Sequence, residues 1–79
     1  MTIKKEFVQF EIPVDEEGFR YTWEDTDKTF DEAVEILAQP YTYRAMRLVC
    51  KTFNDKTFKV DTKTICTVRK RDGELYWED

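Results

Sequence analysis

Cys50, Cys66 and three small groups of carboxylates, Glu16-Glu17, Glu24-Asp25-Thr26-Asp27 and Glu78-Asp79, have the residue types that could do chemistry in this chain of 79 residues. A cysteine becomes a nucleophile when a neighbouring base or cation lowers its pKa. Paired carboxylates can divide acid and base duties or hold a divalent cation. Neither arrangement is completed in the sequence. It contains no histidine and no serine, which removes serine hydrolase chemistry, imidazole catalysis and the commonest zinc ligands. Two cysteines make neither a disulfide-rich framework nor a four-cysteine metal site; they read as buried free thiols, with redox sensing beside a Lys or Arg left open. The acids fall in turns, flanks and a terminus. Asp25-Thr26-Asp27 begins like a calcium loop but lacks the following glycine and the distal glutamate. The two glycines, Gly18 and Gly73, each sit in an apparent hairpin turn, so no Gly-rich phosphate loop can be assembled. The expectation is a non-enzyme with no catalytic residue, metal or cofactor.

The elements that position the remaining side chains follow from periodicity and turn chemistry. Length allows one domain spanning residues 1–79. In residues 7–14, Val8, Phe10, Ile12 and Val14 alternate as one face of a half-buried strand, and Pro13 suggests a sheet edge or a strand end. Asp15-Glu16-Glu17-Gly18 reads as a turn, after which Phe19, Tyr21 and Trp23 share one side of a second strand. Thr29-Phe30-Asp31-Glu32 is a capping box, opening a short helix whose apolar stripe is Phe30, Ala33, Val34 and Leu37, ending before Gln39-Pro40. Residues 44–53 and 57–71 read as strands around Asn54-Asp55-Lys56, and Asp72-Gly73 predicts a two-residue hairpin pairing Arg71 with Glu74 and Val68 with Trp77. The fold expected is α+β, in the order β-β-α-β-β-β: an antiparallel sheet with one short helix packed on one face.

A three-residue loop at Asn54-Asp55-Lys56 pairs Cys50 with Val60 and Leu48 with Thr62, so that apolar positions agree across three strands. Met46, Leu48, Cys50, Phe58, Val60, Cys66, Val68, Leu75 and Trp77 then form the floor under the helix. The polar stretch Asp61-Thr62-Lys63-Thr64 is a place for a bulge, and a bulge would change this pairing. On the same register the opposite face carries Val49, Asp61 and Ile65 and, with them, the eight residues Tyr43, Arg47, Lys51, Lys59, Lys63, Arg69, Arg71 and Tyr76. Lys51 would face Lys59, and Arg47 would face Lys63. Three remedies for such like-charge pairs stay open: side chains splayed into water, N-terminal acids folded across the face, or an external acidic surface.

Those eight residues are the candidate partner-binding site. The formal net charge of −4 averages eleven acids and four bases before Tyr41 against six acids and nine bases after it, so a basic field can coexist with an acidic total. The function expected is a non-catalytic protein-binding module, an adapter, inhibitor or assembly factor, whose partner carries an acidic surface. Trp23, Tyr41, Tyr43, Tyr76 and Trp77 exceed what a short helix can cover, so a homodimer is a further open reading, with residues 7–14 and 75–77 as edge strands. The alternative is a nucleic-acid-binding protein using the basic strands for phosphates and Tyr43 and Tyr76 for stacking. No apolar leader or membrane-crossing run is apparent, and a cytoplasmic location is expected. In length and charge the chain is similar to small accessory proteins of bacteria and their phages.

Overall fold

A computed structural model describes residues 2–78. The elements are β1 (Thr2–Pro13), β2 (Tyr21–Thr26), α1 (Phe30–Ala38), β3 (Ala45–Asn54), β4 (Lys59–Arg71) and β5 (Glu74–Glu78). They form one five-stranded sheet in the order β2-β1-β3-β4-β5, with every neighbouring pair antiparallel. The helix lies on one face, giving the expected α+β order.

Local chemistry sets the ends of these elements. Thr29 Oγ1 accepts the backbone N–H of Glu32 at 3.2 Å, and Glu32 Oε1 accepts the N–H of Thr29 at 3.4 Å, so two otherwise orphaned donors of the first helical turn are satisfied. The other end of α1 has no basic residue in its last turn. Lys70 of β4 supplies the charge instead, its Nζ donating to the Gln39 carbonyl at 2.8 Å and to Thr42 Oγ1 at 3.1 Å, while Thr42 Oγ1 donates toward the Ile36 carbonyl at 2.9 Å. Asp72 and Gly73 take φ of 53° and 82°, the paired positive values of a type I′ turn, and β4 and β5 pair as expected from Arg71 with Glu74 to Val68 with Trp77.

The core lies between helix and sheet. Val8 and Phe10 of β1, Met46 of β3 and Val68 of β4 meet Ala33 and Leu37 of α1, with Phe30, Val34, Ile36, Leu48 and Leu75 packed around them. Trp77 reaches the Phe30 ring, with centroids 5.6 Å apart. A nine-residue helix is too short to stand alone in water, so its burial against this floor is what keeps it formed.

Several expectations need correction. β1 starts at Thr2 and is an interior strand, paired with β2 through residues 8–13 and with β3 through residues 2–10; the edges are β2 and β5. Pro13 marks the strand's end, where its missing N–H costs no interior ladder bond. The β3–β4 register also differs. Asn54 Oδ1 accepts the N–H of Lys56 at 2.9 Å, the Asn54 carbonyl accepts the N–H of Phe58 at 2.8 Å, and Phe58 turns back with φ 56°. This four-residue loop pairs Asn54 with Lys59, Phe53 with Val60 and Cys50 with Lys63. Further along, Leu48 pairs with Cys66 but Val49 with Thr64, so Ile65 is an extra residue. Loop and bulge each change the parity of the pairing. Between them every side chain of β4 lies on the face opposite to the one expected, and beyond the bulge Cys66 and Val68 return to the helix side.

Candidate interaction surface

The face without the helix carries the alternate residues Phe7, Gln9 and Glu11 of β1, Arg47, Val49, Lys51 and Phe53 of β3, and Tyr21, Trp23 and Asp25 of β2, as the strand pairings require. Gln9 and Glu11 are buried, at 6% and 7% exposure, although no helix covers them. Their neighbours' long side chains do.

Glu11 accepts a hydrogen bond from Arg44 Nε and lies 3.7 Å from Arg69 Nη1, and Arg69 reaches on to Glu78 Oε2 at 3.4 Å. Beside it runs a second chain. Arg47 Nε donates to Gln9 Oε1 at 2.6 Å, Gln9 Nε2 donates to Asp25 Oδ1 at 2.6 Å, and Lys51 Nζ donates to Asp25 Oδ2 at 2.7 Å. Gln9 thereby carries the influence of Asp25 across β1 to Arg47. The guanidinium of Arg44 stacks 3.7 Å over the Tyr21 ring and that of Arg47 4.5 Å over Trp23, while Lys5 and Lys51 flank the Phe7 ring at 5.5 and 4.8 Å. No buried side-chain polar atom among the described residues lacks a partner.

The charges shift one another's protonation. The hydrogen bond from Lys51, then that from Gln9, hold the Asp25 carboxyl below its ordinary value of 3.8 against a smaller effect of burial. Burial depresses Arg47, with the Asp25 charge opposing it. Burial acts downward on Arg44 too, but the Glu11 hydrogen bond and charge outweigh it and the net shift is up. Both guanidinium groups stay charged throughout the stable range of a protein. For Asp25 the depressed native pKa means a stabilisation that is complete above 3.8 and lost as pH falls through the lower native value. Asp25→Asn is therefore expected to unfold at a denaturant midpoint that changes less between pH 6 and pH 2.5 than the wild-type midpoint does; equal slopes would sink this linkage.

Of the eight candidate residues, Arg47, Lys51, Arg69, Arg71 and Tyr76 do lie on this helix-free face. Lys59 and Lys63 do not. They sit between the four-residue loop and the bulge and so share the face of Cys50, on the helix side. Tyr43 precedes β3 and stacks on Phe10 in the core, with centroids 4.1 Å apart and planes 14° apart. The expected Lys51–Lys59 and Arg47–Lys63 oppositions are absent: Lys51 faces Thr62 and Arg47 faces Thr67. One like-charge pair does occur, Lys5 opposite Lys51, and there the Phe7 ring and Asp25 provide compensation.

Strand alternation puts Gln9 and Glu11 on the side of β1 opposite Val8, Phe10 and Ile12, and no role for either follows from the sequence alone. Recognising β1 as an interior strand would have placed both beside the cations of β3 and β4. Tyr21 and Trp23 had appeared as an aromatic side of β2, and their role here is to receive arginines.

At the far end of the same face the chemistry becomes apolar. Ile3, Phe53 and Val60 lie in one row across β1, β3 and β4, at 53%, 38% and 54% exposure, and Phe58 in the adjoining loop is 80% exposed. A bulky residue with φ 56° is uncommon and holds this ring outward at a conformational cost.

Cys50 and Cys66 are half-buried free thiols on one face, opposite Lys63 and Leu48 respectively. Glu16 and Glu17 are exposed in the β1–β2 loop, and Asp79 lies outside the described residues. Two open hollows where β2 leads into α1 share Asp25, Thr26, Asp27 and Lys28. Among the described residues no three His, Cys, Asp or Glu side chains are grouped to hold a metal, and no helix is long and apolar enough to cross a membrane. Comparison with family models, with curated proteins and with solved structures found no match to this chain.

Proposed function

We propose that the protein is a non-catalytic protein-binding module and that the distal end of its helix-free face receives the partner. The aligned row Ile3, Phe53 and Val60, extended by the outward Phe58 ring, carries this reading. Its occupant is a protein segment that presents apolar side chains flanked by carboxylates. The apolar part would fill the row, and the carboxylates would meet Lys5, on the same face of β1, and Lys56 in the adjoining loop.

Recognition of nucleic acid through this face has less support. Lys51 and Arg69 already bind carboxylates, Arg47 binds Gln9, and the Tyr21 and Trp23 rings are capped by guanidinium groups. A phosphate chain would have to displace these contacts before it could use the same cations and rings.

The test is a chemical-shift titration with two probes: peptides alternating Leu or Phe with Glu, and single-stranded oligonucleotides. Peptide-induced shifts at Ile3, Phe53, Phe58 and Val60, abolished by Phe53→Asp with the fold retained, are the expected result. Shifts confined to Arg69 and Arg71 on adding oligonucleotide would replace this reading with the nucleic-acid one. Silence with both probes would also overturn it.

A further inference from the structure

β4 is 13 residues long, but β5 covers only residues 67–71. Among the described residues no strand lies beside the remainder, so residues 59–65 present an open edge whose outward backbone donors and acceptors can pair with another strand. The molecule is also expanded for its size. Its Cα radius of gyration is 14.1 Å, where about 11.6 Å is typical of a compact domain of this length. Its accessible surface is 6141 Å², roughly 1,000 Å² above that of an average monomer of this mass.

Lysines on an open edge usually discourage pairing between copies. Here the sequence is Lys59-Val60-Asp61-Thr62-Lys63-Thr64-Ile65, with an acid between two bases on the same face. Reversal of direction converts that pattern into an attraction. A two-fold axis that joins antiparallel edges into one continuous sheet stands normal to the sheet, so some residue must face its own copy. When that residue is Thr62, the regular part of the edge, residues 60–64, is fully paired, and Lys59 meets Ile65 of the other copy at the bulge. Asp61 then lies opposite Lys63 of the other copy, twice by symmetry, while Val60 lies opposite Thr64 and Thr62 opposite Thr62. These are opposite charges on the helix side and β-branched pairs on the other, both favourable across antiparallel strands. A centre at Val60 would also match Lys59 with Asp61, but its register would run into the loop and leave most of the edge unpaired.

From this self-complementarity we propose that two copies of the chain associate through residues 59–65 of β4, Thr62 on Thr62, into a ten-stranded sheet with both helices on one side. The inference stands apart from the partner-binding reading above, since it uses the backbone edge and the Asp61 and Lys63 charges rather than the apolar row.

Charge reversal tests it by sedimentation equilibrium or light scattering over a wide concentration range, with circular dichroism showing that each variant is folded. Wild type is expected at twice the chain mass at high concentration. Asp61→Lys brings lysine against lysine, and Lys63→Asp brings aspartate against aspartate, so each variant alone is expected to dissociate at least about tenfold more readily. An equimolar mixture of the two restores both opposite-charge pairs and is expected to form a heterodimer. A wild type that remains monomeric, a single variant that dimerises as wild type does, a mixture that stays monomeric, or growth into larger assemblies would each overturn the proposal. Failure of the peptide titration would leave these outcomes unaffected.

Discussion

Leu37→Ala is expected to lower the melting temperature by about 15 °C, a loss of about 3 kcal/mol. A domain of this length has a total stability of roughly 4–12 kcal/mol, so one side chain would remove a quarter or more of it. The cause is the thinness of the fold. Among the described residues one nine-residue helix is the only layer over the sheet, and within it Ala33 and Leu37 are the fully buried residues. Leu37 is the larger of the two and packs in the cluster with Val8, Phe10, Met46 and Val68. Neighbouring helices that could relax into the cavity do not exist among the described residues. Glu35→Ala, on the exposed side of the same helix, is the control and should change stability by no more than about 0.5 kcal/mol. Thermal unfolding of both variants decides the matter. Similar melting points would mean that the helix contributes little to the core.

The second large effect concerns the Glu11 cluster, where the order of damage is the informative quantity. The Glu11 side chain is 8% exposed, whereas Arg44 and Arg69 are 54% and 40% exposed. Removing the acid leaves two cations that can turn into water, so Glu11→Gln should cost only about 1 kcal/mol. Removing both arginines leaves a buried carboxylate without a cation, and Arg44→Ala with Arg69→Ala should cost about 3 kcal/mol. Adding Glu11→Met to that pair removes the stranded charge and should recover part of the loss. Urea midpoints of the three proteins check this ordering. If Glu11→Gln proved the most harmful, the cluster would be acting through packing of the Glu11 stem rather than through charge.

What could be read from the sequence was whatever depends on neighbours in the chain. The Thr29–Glu32 capping box, the Asp72-Gly73 hairpin and the alternation of Val8, Phe10 and Ile12 each need only a few consecutive residues to be recognised, and the element order followed from them. The β3–β4 register could not be obtained that way. Its loop closes on Phe58 in a left-handed conformation for which an aromatic residue gives no signal, and the bulge at Ile65 answers to the strand opposite. Two parity changes in succession moved Lys59 and Lys63 to the other face while leaving Arg69, Arg71 and Tyr76 where alternation had put them. The interior position of β1 was equally hidden, because its pairing with β3 joins residues as far apart as Thr2 and Asn54. The acids of the N-terminal half do neutralise part of the basic face, through Glu11 and Asp25, which was one of three remedies the charge pattern left open.

The clasp of Lys70 on the end of α1 has a kinetic meaning. Its bond to the Gln39 carbonyl spans 31 positions of the chain and cannot form until β4 has docked. The helix can begin early, because its capping box is local, but its last turn should stay frayed until the sheet is assembled. Chain closure is slow across such separations. Folding should then proceed from the hairpins and the first helical turn toward the β1–β3 seam, and Lys70→Met should mainly accelerate unfolding while leaving the refolding rate nearly unchanged.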